Sequence, residues 1–129
     1  MRLDDALIEP VCQAGLLRLP DDRVLFSNPA STRREQMTVR VSADRCQTWS
    51  AGVLLHDGPA AYSDLALTAD GRACCLYERG DTHAYERITL ARLRLQLAFP
   101  DLGCSAETES RSKQASEGAS HLQVGSATP

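Results

Sequence analysis

The chain has 129 residues, of which 43% are hydrophobic and 24% charged, a balance that supports one packed domain. A formal net charge of −3 speaks against nucleic acid as the main partner, because phosphate binding relies on clustered Lys and Arg. No apolar run reaches the ~18 residues that a membrane helix needs, so no transmembrane segment is expected.

The first residues, Met1-Arg2-Leu3-Asp4-Asp5, are acidic where a signal peptide has a basic start followed by an apolar stretch. Read as written, the chain is expected in the cytoplasm; as a fragment of a longer protein, a lysosomal or secreted location stays open. Leu3–Ile8 reads as a short helical entry. From there to Pro100, short apolar runs alternate with turn residues. Strands are predicted over Val11–Leu19, Arg23–Ser27, Met37–Ser42, Val53–His56, Asp64–Thr68, Ala73–Tyr77 and Ile88–Leu95. Turn signals separate them at Pro20-Asp21-Asp22, Ser42 to Thr48, Asp57-Gly58-Pro59 and Ala69-Asp70-Gly71. The apolar phase of the last strand drifts beyond Arg92, and Gln96–Phe99 is compatible with helix.

Composition changes near Pro100. Residues 101–129 are rich in Ser, Ala, Gly, Glu and Gln and nearly free of large apolar side chains. Such a segment buries too little surface to offset its ordering entropy, so it is expected to be a disordered tail following a domain over 1–100. Short consecutive strands with tight turns define an all-β antiparallel fold: sandwich, barrel or propeller. Five cysteines (Cys12, Cys46, Cys74, Cys75 and Cys104) are irregularly spaced, with no Cys-x-x-C, so reduced core residues are expected rather than a zinc site or a disulfide framework. His56, His83 and His121 form no metal or nucleophile constellation and read as surface residues.

Local sequence narrows the fold. Ser42-Ala43-Asp44-Arg45-Cys46-Gln47-Thr48-Trp49 resembles the Asp-box (BNR repeat) of sialidases and related propellers, Ser-x-Asp-x-Gly-x-Thr-Trp. In that box Ser42, Asp44, Thr48 and Trp49 would be structural: the Ser and Asp side chains bond turn backbone and the Trp packs beneath. Cys46 replaces the pattern's Gly, which strains the turn if that position needs φ > 0. Ala61-Tyr62-Ser63-Asp64-Leu65, Cys75-Leu76-Tyr77-Glu78, Tyr85-Glu86-Arg87-Ile88 and Ala98-Phe99-Pro100 resemble, in order and spacing, the C-terminal end of exo-α-sialidases. Glu9-Pro10-Val11-Cys12-Gln13-Ala14 and Leu25-Phe26-Ser27-Asn28-Pro29 resemble the preceding blade.

The resemblance implies about one and a half to two antiparallel blades of a six-bladed β-propeller. It also implies a retaining glycoside hydrolase that removes terminal sialic acid from glycolipid or glycoprotein glycans, with no metal or cofactor. Sialic acid carries a carboxylate on its anomeric carbon, so a neutral tyrosine hydroxyl attacks there without the repulsion a carboxylate nucleophile would meet. By resemblance Tyr62 is that nucleophile. Arg34 is one of three arginines that hold the substrate carboxylate, with Arg33 the competing choice; a planar guanidinium can bond both carboxylate oxygens. Glu78 matches a glutamate that orients another arginine of the triad. Asp64 shares the face of Tyr62 and is assigned a structural hydrogen bond.

The family's other two arginines, the glutamate that activates the tyrosine and the acid/base aspartate match nothing in residues 1–100. The remaining propeller blades are therefore expected partners, and the chain alone is expected to be inactive. The alternative is a non-catalytic sialidase-like β module that binds sugar or protein.

Overall fold

The computed structural model describes residues 4–95 and a short strand at Ala106–Thr108. Among the described residues, seven antiparallel strands follow one another in a single meander: β1 (Gly15–Arg18), β2 (Val24–Pro29), β3 (Glu35–Ser42), β4 (Val53–Leu67), β5 (Ala73–Arg79), β6 (Arg87–Leu93) and β7 (Ala106–Thr108). The long β4 belongs to two units. Its first part pairs with β3, and from Ala60 onward it pairs with β5, so β1–β4 and β4–β7 are two four-stranded sheets joined through one strand. This all-β architecture is that of a partial propeller. No described helix is long and apolar enough to cross a membrane.

Three sequence expectations change. The strand expected from Val11 starts only at Gly15, because Val11 has φ 53°, a left-handed conformation that ends extended pairing for a β-branched residue. The described part of the expected helix, residues 4–8, is a turn closed by the Leu7 amide on the Asp4 carbonyl at 3.1 Å. Val53–His56 and Asp64–Thr68 are not separate strands around a turn; Asp57-Gly58-Pro59 lies inside β4 where its pairing partner changes. Proline is tolerated at such a handover because it has no N–H to lose from a ladder. The expected helical end at Gln96–Phe99 and, apart from β7, residues 101–129 lie outside the described residues.

Alternation along the strands builds the core. Leu25, Val39 and Val41 from the first sheet meet Leu65, Cys75, Tyr77, Ala91 and Leu93 from the second, with Met37 fully buried between. Each large side chain among these contributes roughly 1.5–3 kcal/mol on burial. The sheets meet through small residues. A Cβ on Gly15 would lie 3.2 Å from Asp64 Cα and 3.3 Å from Leu65 Cγ, and Ser27 and Ser63 share a buried hydroxyl–hydroxyl bond of 2.9 Å. This contact locks β2 against the residue that follows Tyr62.

The turn after β3 is held by its own side chains. Ser42 Oγ accepts the Cys46 amide at 2.9 Å and donates to Asp44 Oδ1 at 2.8 Å. Asp44 in turn accepts the Gln47 and Thr48 amides and the Thr48 hydroxyl. These bonds, the Thr48 hydroxyl first, hold the Asp44 carboxyl at a pKa of about 2. Trp49 packs on Phe26 with ring centroids 5.6 Å apart and donates its indole N–H to Asp4. Cys46 has φ 65°, so the position that departs from glycine does occupy the left-handed region.

The cysteines divide. Cys74 and Cys75 are buried, and burial pushes the Cys75 thiol up to about 12. Cys46 is exposed and Cys12 only partly buried, so neither is the core residue expected; one sits on the turn and the other beside the cluster described next. Cys104 and His121 lie outside the described residues. His56 is partly buried against the Gly80 carbonyl, 3.1 Å from Nε2, while His83 is exposed.

Candidate active site at the strand shared by the two sheets

Tyr62 sits at an irregularity in β4. Ala60 pairs with Arg79 and Ser63 with Tyr77, so Ala61 and Tyr62 together face Glu78. A bulge of this kind adds a residue to one strand and re-aims its side chain. Ala61 and Ser63 point into the core, which turns Tyr62 outward with 46% of its surface exposed. The Tyr62 amide, displaced from the ladder, donates to Glu78 Oε2 at 3.3 Å.

The backbone here is clamped from a second side. Gln13 donates through Nε2 to the Ser63 carbonyl at 3.0 Å and accepts the Ser63 amide at 3.3 Å on Oε1. Ser63 Oγ also donates to the Ser27 carbonyl. Tyr62 is thus an exposed side chain on a fixed stretch of main chain.

Arg34 reaches the same place from the loop before β3. Its carbonyl accepts the Ala60 amide at 2.8 Å, tying this loop to β4 two residues before Tyr62. The guanidinium carbon lies 5.4 Å from the Tyr62 ring centroid and 6.0 Å from that of Tyr85, and Nη1 donates to the Tyr85 hydroxyl. Burial lowers the Arg34 pKa, but attraction to Cys12 and Tyr85 and hydrogen bonding with both tyrosines outweigh it, and the net shift is upward. Arg33, the competing arginine, points elsewhere: it is 79% exposed in its side chain and pairs with Glu35 at 3.0 Å.

Cys12 completes the cluster. Its partial burial raises the thiol pKa against the pull of Arg34, with Glu78 and Glu9 adding in the same upward direction. Glu9 accepts the Cys12 amide at 3.1 Å and shapes the turn that delivers Gln13 to β4. Asp64 lies exposed on the outward face and accepts the Leu65 amide at 2.9 Å, a local structural bond. A cleft of about 210 Å³ opens beside Tyr62, with Asp64, Leu76, Glu78 and Ile88 among its walls.

The fold therefore brings Arg34, Tyr62 and Glu78 together and leaves Arg33 outside. Sequence reasoning missed Tyr85, Cys12 and Gln13 as parts of this cluster. All three lie within the short segments that carry the resemblance, which was the available signal. Chemically the cluster offers one cation between two aromatic faces, phenolic hydroxyls at its edge and a carboxylate behind: a setting for an anion joined to an apolar or hydroxylated body. Among the described residues no group of three His, Cys, Asp or Glu is placed to hold a metal ion.

Fold and cluster define a class: a propeller-like pair of sheets whose shared strand presents a tyrosine beside an arginine from the loop before β3. No family model matches the chain. It is 36% identical over 101 residues to the sialidase of Micromonospora viridifaciens, a match covering 70% of this chain and 16% of that protein. It is 34% identical over 70 residues to Sialidase-3 of Mus musculus, covering 50% of this chain and 16% of that protein. The chain is related to the sialidase family, and it spans only a small part of each of these relatives.

Proposed function

We propose that this chain supplies the tyrosine nucleophile and one carboxylate-binding arginine of an exo-α-sialidase whose remaining site residues come from other blades. The observation that carries the reading is the approach of Arg34 to within 5.4 Å of the Tyr62 ring, with Glu78 bonded to the Tyr62 amide. A substrate carboxylate on Arg34 would bring the adjacent anomeric carbon toward the Tyr62 hydroxyl.

The phenol oxygen attacks that carbon as the glycosidic bond breaks, and the departing aglycone oxygen takes a proton from an acid outside this chain. A base, also outside it, accepts the phenol's proton, because an un-ionised hydroxyl is a weak nucleophile. Water then displaces the tyrosine, releasing sialic acid with retained configuration. Glu78 acts by holding the Tyr62 backbone and by offering a carboxylate to another arginine of the complete site. Sialylated glycans on lipid or protein are the proposed substrates.

A fluorogenic sialoside assay on the chain alone and on a fusion to matching sialidase blades tests this. We expect no turnover alone, activity in the fusion, and its loss in Tyr62→Phe. An active fusion indifferent to Tyr62→Phe would remove Tyr62 as nucleophile. An inactive fusion that still binds sialic acid would favour the alternative, a non-catalytic sugar-binding module.

A further inference from the structure

We infer that Tyr85 is a positioning residue: its hydroxyl fixes the direction of the Arg34 guanidinium and thereby sets which nitrogens face an incoming carboxylate. The inference rests on Arg34 being a carboxylate binder, as proposed above, and extends it to a residue to which neither the resemblance nor the motif assigned a role.

The loop between β5 and β6 is built to hold Tyr85 still. Glu86 accepts the amides of Asp81, Thr82 and His83 at 2.9, 3.0 and 3.1 Å, together with the Thr82 hydroxyl. These bonds, the Asp81 amide first, depress its carboxyl to a pKa of about 2. The turn closes so tightly at Gly80 that a Cβ there would lie 1.8 Å from the His83 carbonyl oxygen. Ala84 is buried, the Gly80 amide donates to the Pro59 carbonyl, and the Tyr85 amide donates to His83 Nδ1 at 3.4 Å.

On this fixed loop Tyr85 is 56% exposed, so its ring is not there to fill the core. Its hydroxyl meets Arg34 Nη1, and its ring centroid lies 6.0 Å from the guanidinium carbon, which is also 5.4 Å from the Tyr62 ring. A hydroxyl on Nη1 removes the freedom of a long side chain to rotate away and holds its remaining N–H groups in one direction. Pre-ordering of this kind adds affinity by removing an entropy cost from binding.

The test uses the full chain and its Tyr85→Phe and Arg34→Lys variants. Tyr85→Phe keeps the ring of an exposed residue and removes only the hydroxyl that meets Arg34, so the fold should be retained. Side-chain nitrogen NMR would follow the Arg34 Nη–H signals, assigned by their loss in Arg34→Lys, and N-acetylneuraminic acid would be titrated in parallel. We expect separate, slowly exchanging Nη signals in the wild type, averaged signals in Tyr85→Phe, and sugar affinity reduced about ten-fold by that change, as for loss of one charge-assisted bond. Separate Nη signals retained in Tyr85→Phe would overturn the inference. So would sugar binding lost in Arg34→Lys but unchanged in Tyr85→Phe. Binding that neither variant alters would instead sink the carboxylate role of Arg34, and the NMR signals would still decide whether Tyr85 holds that side chain.

Discussion

The Tyr62 amide donates to the Glu78 carboxylate across the bulge of β4, so the main chain at Tyr62 is held by a side chain where the strand ladder is broken. The bulge frees an N–H that water could otherwise take, and Glu78 converts that freedom into a fixed direction for the phenol. Glu78→Ala should therefore cost about 1 kcal/mol in urea unfolding, the usual worth of one such bond. Glu78→Gln, which keeps an acceptor oxygen, should cost less. Equal losses for the two would mean that the bond contributes nothing and that side-chain packing carries the effect.

Cys46 occupies the left-handed region with φ 65° inside a turn where its own amide donates to Ser42 and the Thr48 amide to Asp44. A side chain there costs about 1 kcal/mol relative to glycine. Cys46→Gly should raise the stability of the chain by about that amount, read as a higher urea midpoint with an unchanged slope. A lower midpoint would show that the unfolded-state freedom added by glycine outweighs any strain relieved at Cys46.

Much of this was legible in the residues. Strand positions followed from alternation, and the Ser42–Trp49 turn from the chemistry of its own side chains. The continuity of β4 was not legible, because Asp57-Gly58-Pro59 carries every local mark of a turn. Only the change of partner from β3 to β5 explains why the chain runs straight through it. For the candidate site, Tyr62, Arg34 and Glu78 were singled out through resemblance. Tyr85 was not, since an exposed tyrosine on a loop acquires meaning only when the fold brings Arg34, 51 positions earlier, against it.

Asp44 and Glu86 make the acid response of the chain specific. Each folded-state pKa is about 2, against ordinary values of 3.8 and 4.5. Depressed carboxylates stabilise the fold fully above their unfolded values, and that stabilisation fades as pH falls through this range toward 2. The thermal midpoint should therefore be flat above about pH 5 and fall below it. Asp44→Asn and Glu86→Gln should each lower the neutral-pH midpoint and flatten the acid slope. A variant retaining the wild-type slope would remove that residue from the account.

The outward face of the second sheet bears on how the chain behaves alone. Leu76 pairs with Leu90, and Ile88 stands one cross-strand step away opposite Glu78; these three side chains are 47%, 41% and 72% exposed. Adjacent apolar residues on a sheet face gain roughly 25 cal/mol for each Å² removed from water, so a face like this favours contact with another surface. The relatives are far longer than the matched segment, and in this chain nothing among the described residues covers that face. We expect concentration-dependent self-association in light scattering after size exclusion, together with a broad thermal transition. Leu76→Lys with Ile88→Lys should restore a monomer, because two charges on the face oppose its burial. A monodisperse wild-type monomer with a cooperative melt at all concentrations would show that two such sheets are sufficient as an independent domain.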